Sequence, residues 1–358
     1  MGALALPLPA SGVTAPTREK QANEDIRKPA QKVRITDLMS RCNPGESFLL
    51  KMTNKTQPLV SVIIPVFNGA SYLKEAVSSV LKSTYKNIEI LLIDDGSSDH
   101  SKKLCSDLEK KYKKVHFYGF KANKGQGVAL NYGIKHALGK YICRLNQDDL
   151  MLPNRISTQV KYLISHPNVV ALGTSITLFE PNGKTQIVHF LQNHTEIKKM
   201  WHVVSPFADP SVMFSKSVAL KVGGHDQEFW PANDTQLWIK MGQIGELANI
   251  DKPLVRVLYH PKAASVKHFK KLTSVTWKLH RWIDREISPA PWYVKLFWLG
   301  EYVSGMLFSP NFNWAIYRLL KKGIYFSAAF FNFLHHITLP PIVAKVIPQP
   351  IQLKTSGQ

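Results

Sequence analysis

Between residues 60 and 145, apolar runs of strand length alternate with amphipathic stretches of helix length, and no other pattern in the chain narrows the fold so far. Residues 60–66 read VSVIIPV, a continuous β-branched run of the kind needed by a strand buried on both faces. The run stops at Phe67-Asn68-Gly69, a turn signal. Leu73, Ala76, Val77, Val80 and Leu81 then fall at i, i+3, i+4, i+7 and i+8, one apolar stripe of a helix, with Ser71 as the expected N-cap. The alternation repeats: a strand at 88–93, a helix from about 101 to 112, a short strand at 115–118, a helix from about 128 to 138 and a strand at 141–145. This order builds right-handed βαβ units, so an α/β fold with a mostly parallel central sheet flanked by helices is expected. Ligands bind such sheets beyond the carboxyl ends of the strands. PVFN, DDGSSD, NKGQG and NQDD each follow a strand, so one sheet edge gathers all four.

Outside this region the pattern changes. Residues 1–57 are polar, proline-containing and without periodicity, and read as a flexible leader; they lack the basic n-region and unbroken apolar run of a signal peptide. Residues 58–265 read as one folded unit, with a regular half at about 58–150 and a less regular half at about 151–265. In the second half a helix is expected around 156–164 and strands near 169–179. Residues 266–358 form a helical, basic and aromatic extension. Its apolar segments, 292–308 and 324–334, are interrupted by Lys295 and Glu301 or flanked by Lys321 and Lys322, which disfavours a spanning helix. They fit either peripheral contact with a membrane or packing on protein.

Charge points the same way. The formal net charge is +21, and the chain from Lys252 onward carries 15 Lys/Arg against 3 Asp/Glu, so 12 of those charges sit in the aromatic-rich tail. Acidic partners are implied. No RRM, KH, zinc-finger or helix-turn-helix signature accompanies the charge, and nucleic acid is not an expected partner. Cys42, Cys105 and Cys143 are widely spaced and form neither a disulfide framework nor a zinc pattern, which suits a reducing compartment.

The loops carry the chemistry. Neither GxxxxGK[ST] nor GxGxxG is present, so P-loop and dinucleotide readings lose support. Asp94 and Asp95 follow an apolar strand and can accept from a base edge or ribose, with Phe67 on the neighbouring loop able to stack on the base; DDGS alone reads as readily as a polar turn with a helix cap at Ser97, Ser98 or Asp99. Lys124 stands in a glycine-containing loop where a diphosphate could lie. Asn146-Gln147-Asp148-Asp149 supplies hard oxygen donors for Mg²⁺ or Mn²⁺, although an isolated Asp-Asp pair is more often a turn.

Taken in order, PVFNGASYLKEAVSSVLKSTYKNIEILLIDDGSSD and NKGQGVALNYGIKHALGKYICRLNQDDLMLPNRI resemble a family 2 glycosyltransferase of the GT-A fold, continuously from about Val60 to His166. The resemblance implies inverting transfer of a sugar from a nucleotide-diphospho-sugar, usually UDP-linked, with a divalent cation. The acceptor would be a glycan or lipid-linked glycan, in polysaccharide or glycoconjugate synthesis at the cytoplasmic face of a membrane. It places Pro65, Phe67, Asn68, Asp94 and Asp95 in the nucleotide-contacting loops, and Lys124 and Gly125 near ribose and diphosphate. Asn146-Gln147-Asp148 falls on the Asp-x-Asp motif, with Asp148 the metal ligand and Asn146 a departure that lowers the charge. Asn233-Asp234-Thr235-Gln236-Leu237-Trp238 resembles the Glu-Asp-x-x-Leu-Trp segment, making Asp234 the catalytic base and Asn233 a second acid-to-amide change. Asp209 stands where the family often has His. His260, after the strand Val255-Arg256-Val257-Leu258-Tyr259, matches a His that reaches the metal or diphosphate. The two amides leave open a non-catalytic, nucleotide-sugar-binding relative acting as a partner subunit.

Overall fold

The computed structural model describes residues 57–259 and 267–308. The expected leader up to residue 56, His260 and the apolar segment 324–334 lie outside the described residues.

The first half follows the alternation: β1 (Val60–Val66), α1 (Ala70–Leu81), β2 (Ile88–Asp94), α2 (Ser101–Lys111), β3 (Val115–Gly119), α3 (Gln126–His136) and β4 (Tyr141–Arg144). Their sheet order is β3-β2-β1-β4, every pair parallel. All seven residues of β1 are buried, because helices cover both faces. Val60, Val62, Ile64 and Val66 face one layer with Leu73, Val77 and Val80 of α1. Ile63 faces the other, with Leu91 and Ile93 of β2 and Ala129, Leu130 and Ile134 of α3. A period of two along the strand thus sorts one apolar run into two cores.

The second half contains β5 (Leu150–Met151), α4 (Arg155–Ser165), β6 (Val169–Phe179), β7 (Thr185–Val188), α5 (His194–Met200), β8 (Met213–Ser215), α6 (Lys216–Lys221), α7 (Asn233–Met241) and β9 (Glu246–Leu258). Short 3₁₀ turns at Asp209–Ser211 and Gln227–Phe229 precede β8 and α7. The sheet continues β8-β6-β9-β5, with β7 beside β6. Here the pairing is mixed: β8 runs antiparallel to β4 and β6, β5 antiparallel to β9, and β6 parallel to β9 with register shifts.

α8 (Phe269–Glu286) and α9 (Trp292–Leu307) complete the described chain. α8 lays Val275, Leu279 and Ile283 against Trp201, Phe229, Ala232 and Ile239, so this part of the basic extension shares a core with the body. α9 leans on α8 through Trp298 stacked on His280 (4.6 Å between ring centres), Tyr302 against Trp277 (5.3 Å) and an ion pair from Lys295 to Asp284 (2.9 Å). The Trp298 indole donates to the His202 carbonyl at 2.7 Å. Among the described residues no helix is long and apolar enough to cross a membrane.

Candidate active site

The carboxyl ends of β1, β2, β3 and β4 bring the four polar loops to one edge, and there the loops hold one another. Asn68 adopts a left-handed conformation (φ 49°), which asparagine tolerates better than most residues. Its Oδ1 accepts from Ser98 N (2.9 Å), Ser98 Oγ (3.2 Å) and Asp99 N (3.3 Å), while its own N–H donates to Ser97 Oγ (2.9 Å). The start of α1 is not capped by Ser71. Gly69 N donates to Ser101 Oγ (2.8 Å) and Ala70 N to Asp99 Oδ2 (3.2 Å), so the cap comes from the next loop. A local pattern cannot show a cap supplied some thirty residues away. Phe67 is fixed from the other side: Gln147 Oε1 accepts from its N–H (2.9 Å) and Gln147 Nε2 donates to its carbonyl (3.0 Å). The Phe67 ring itself stays 44% exposed. Pro65 is buried inside β1.

Asp94 and Asp95 are both buried, and burial raises both carboxyl groups above their ordinary range. Asp94 Oδ2 accepts from Ser97 N at 3.2 Å. Asp95 accepts from two successive amides, Lys124 N on Oδ1 (2.7 Å) and Gly125 N on Oδ2 (2.9 Å), which partly counters the upward shift. It therefore sets the course of the NKGQG loop, and each oxygen keeps a second lone pair. Two glycines make this approach feasible: Gly96 (φ 72°), where a Cβ would sit 2.4 Å from the Ala122 carbonyl carbon, and Gly125 (φ 96°). The Lys124 side chain is exposed above the loop.

The NQDD loop is the densest part of the site. Arg144 is buried, donating through Nη1 to the Leu145 carbonyl (2.7 Å) and through Nη2 to Asn146 Oδ1 (2.9 Å) and Asp209 Oδ2 (2.8 Å). Asn146 Nδ2 donates to Asp149 Oδ2 (2.8 Å), and Asp149 Oδ1 accepts from Leu258 N (3.0 Å) at the end of β9. A chain thus runs from Asp209 through Arg144, Asn146 and Asp149 to β9, the strand leading toward His260. Burial, then the charge of Asp148, pushes Asp149 up to about 7. Asp148 is half-buried on the same loop.

A cation here would have to draw on few protein ligands. Among the described residues no three His, Cys, Asp or Glu side chains cluster closely enough to hold one. Asp149 is buried, with each oxygen accepting one hydrogen bond, whereas Asp148 is half-buried. Asp148 is the carboxylate at hand, and a single hard oxygen donor suits Mg²⁺ or Mn²⁺ that takes its remaining ligands from water and phosphates.

Asp234 lies in the first turn of α7, partly exposed. Burial first, then the Asp209 carboxylate, raises its carboxyl well above the usual range, while Arg144 pulls the other way. The Asp209–Arg144 pair thus links the NQDD loop electrostatically to Asp234. Asn233 is buried against α3, its Nδ2 at 2.4 Å from where a Cβ on Gly127 would sit. The residues missed by sequence reasoning are the connectors: Arg144, Gln147 and Arg155, the last buried with its Nη2 on the Arg144 carbonyl (2.9 Å). Arg144 carried one signal, a charged residue at the end of an otherwise apolar strand.

The family model for glycosyl transferase family 2 matches residues 61–223. An uncharacterized glycosyltransferase of Rickettsia typhi is 32% identical over 222 residues, 58% of this chain and 66% of its own length. One from Rickettsia felis is 36% identical over 228 residues, 62% of this chain and 36% of its own length. The chain therefore spans just under two thirds of the first relative and about a third of the second. The amylovoran biosynthesis glycosyltransferase AmsE of Erwinia amylovora is 26% identical over 202 residues, 56% of this chain and 76% of AmsE. Among solved structures, S. aureus TarS 1–349 in complex with UDP-GlcNAc aligns with TM-score 0.55 at 16% identity, over 70% of this chain and 74% of that one. The mannosyltransferase PcManGT from Pyrobaculum calidifontis, in complex with GDP-Man and Mn²⁺, aligns with TM-score 0.52 at 17% identity, over 87% of each. These two likenesses bear on the fold alone. With its parallel β3-β2-β1-β4 sheet and its loops gathered at one edge, the chain has the GT-A fold, and its residues 61–223 match the glycosyl transferase family 2 model.

Proposed function

We propose that this glycosyltransferase moves a sugar from a nucleotide-diphospho-sugar, with a UDP-sugar the first choice, to a hydroxyl of a glycan or lipid-linked glycan by one inverting displacement. The nucleotide-binding half is residues 58–150 and the acceptor half 151–265. The observation that supports the reading is the Arg144–Asp209 ion pair, which holds the NQDD loop through Asn146 and whose charges act on Asp234. Phe67 stacks on the base, with Pro65, Asn68, Asp94 and Asp95 shaping the loops beneath it. Lys124, Gly125 and Asn146 line the ribose and diphosphate. Asp234 takes the proton of the acceptor hydroxyl as that oxygen attacks the anomeric carbon, and its raised affinity for protons suits a general base working near neutral pH. Asp148, with His260, holds a divalent cation, Mn²⁺ or Mg²⁺, whose contribution when bound is to offset charge on the departing diphosphate.

A thermal-shift screen of UDP, GDP, dTDP and their sugars, with and without Mn²⁺, tests donor and metal together. Asp148→Ala is expected to remove the metal-dependent part of the shift, and an unchanged shift would sink that role. Asp234→Asn is expected to keep donor binding and lose transfer, so full activity in that variant would refute the base assignment. A second reading, a donor-binding subunit without turnover, draws on the amides at Asn146 and Asn233. It predicts no nucleotide release when donor and acceptor are added to the wild-type chain.

A further inference from the structure

We propose that the α8–α9 hairpin docks on a lipid surface bearing anionic headgroups. The two helices expose faces of different chemistry. On α8, Lys270, Ser274, Arg281 and Arg285 are exposed at positions i, i+4, i+11 and i+15, opposite the buried row Val275, Leu279 and Ile283. On α9, Trp292, Leu296, Leu299, Val303 and Leu307 are exposed at i, i+4, i+7, i+11 and i+15, a stripe about 80° wide. This stripe lies opposite Trp298, which is buried against His280 and the His202 carbonyl. Both faces therefore point away from the core, a basic row beside an apolar one.

The apolar row is costly in water. Trp292 is 72% and Leu307 71% exposed, and the stripe runs the length of a helix of about 24 Å, where a soluble surface scatters such residues singly. At an interface the stripe enters the acyl boundary, with Trp292 and Tyr293 at headgroup level and the α8 cations facing the phosphates. Charge selects the occupant. A second copy docked face to face about a two-fold axis perpendicular to the helices would set one basic row against another. Residues 309–358 carry five Lys/Arg and no Asp/Glu, so covering the stripe with this chain's own continuation would gather more positive charge. An anionic bilayer complements both rows.

Flotation of the full chain with phosphatidylcholine vesicles containing about one third phosphatidylglycerol tests this. Binding is expected with these vesicles, weak with phosphatidylcholine alone, and largely lost in about 1 M salt, where the Debye length is about 3 Å. Lys270→Glu/Arg281→Glu/Arg285→Glu is expected to weaken partition at least ~100-fold, since each cation near an anionic surface contributes roughly a factor of five. Leu296→Glu/Leu299→Glu should weaken it at least ~10-fold. Both variants should keep the wild-type nucleotide-induced thermal shift, showing an intact fold. Absence of wild-type flotation overturns the proposal. So does undiminished flotation of both variants, which would place lipid contact elsewhere in the chain, or a wild-type dimer in light scattering that becomes monomeric in Leu296→Glu/Leu299→Glu.

Discussion

Asn146 stands between a guanidinium and a buried carboxylate, and it meets each with the matching end of its amide. An aspartate there would still suit Arg144, but it would turn an oxygen toward Asp149 where a donor now lies. Asn146→Asp is therefore expected to destabilise the chain by about 1–3 kcal/mol, the order of cost for spoiling a buried polar contact. Its metal-dependent donor affinity should stay level or fall; urea denaturation and Mn²⁺ titration in the presence of UDP-sugar measure the two effects, and tighter binding at unchanged stability would contradict the geometry. The sequence showed the missing acid but not its neighbour, because Asp149 becomes a partner only when the loop folds back. Asp234 gives a second test at this scale. A base must be deprotonated, so kcat/KM should rise with pH through its raised pKa. Asp209→Asn removes the like charge and frees Arg144 to act on Asp234, so the acid limb should move to lower pH. A limb that stays put or moves up would exclude Asp209 from this role. The same shift has a stability sign: between the ordinary aspartate pKa and the raised one, the folded chain keeps a proton that the unfolded chain has released. The contribution of Asp234 to stability is thus fully present in acid and is lost as pH rises toward neutrality.

At the level of elements, the strands, helices and their order were legible because each is written in local periodicity; the bounds of β1 and α2 to β4 fell within about two residues of expectation. The loops between them were legible only as places. Ser71 looked like a cap because capping is usually local, whereas Ser101 and Asp99 supply it across the sheet edge. Gln147 was read as the variable middle of a motif, yet it takes both backbone groups of Phe67. Since those groups are solvent-accessible, water can replace the side chain, so Gln147→Ala should cost about 1 kcal/mol or less in stability. Its effect should fall on the aromatic platform, raising donor KM about tenfold, equivalent to about 1.4 kcal/mol of binding, with kcat nearly unchanged. Steady-state kinetics decides between this and an equal fall in kcat, which would mean that the amide acts on the reacting atoms.

For the whole molecule, α4 and β6 lie where the sequence placed a helix and a strand, but the mixed pairing of β8, β6, β9 and β5 was not readable, since it rests on contacts distant in sequence. The basic extension was ambiguous for a like reason: its charge and its aromatics were plain, but not which residues turn inward. The structure divides them, with Leu279 and Ile283 of α8 packed beside the segment that leads into α7. Ile283→Ala should therefore destabilise the entire catalytic body by about 2–4 kcal/mol, the usual cost of a large-to-small change in a core. Circular dichroism melting reads this as one lowered transition; an unchanged melting temperature would show that α8 folds apart from the body. The locked loops at the sheet edge bear on inheritance as well as on chemistry. Asn68 holds the loop after β2, Asp95 the loop after β3, and Gln147 reaches back to the loop after β1. Recombination between relatives that falls inside this region separates each latch from its catch. Donor specificity should therefore transfer between homologues when all four loops travel as one block, and fail when they are grafted singly.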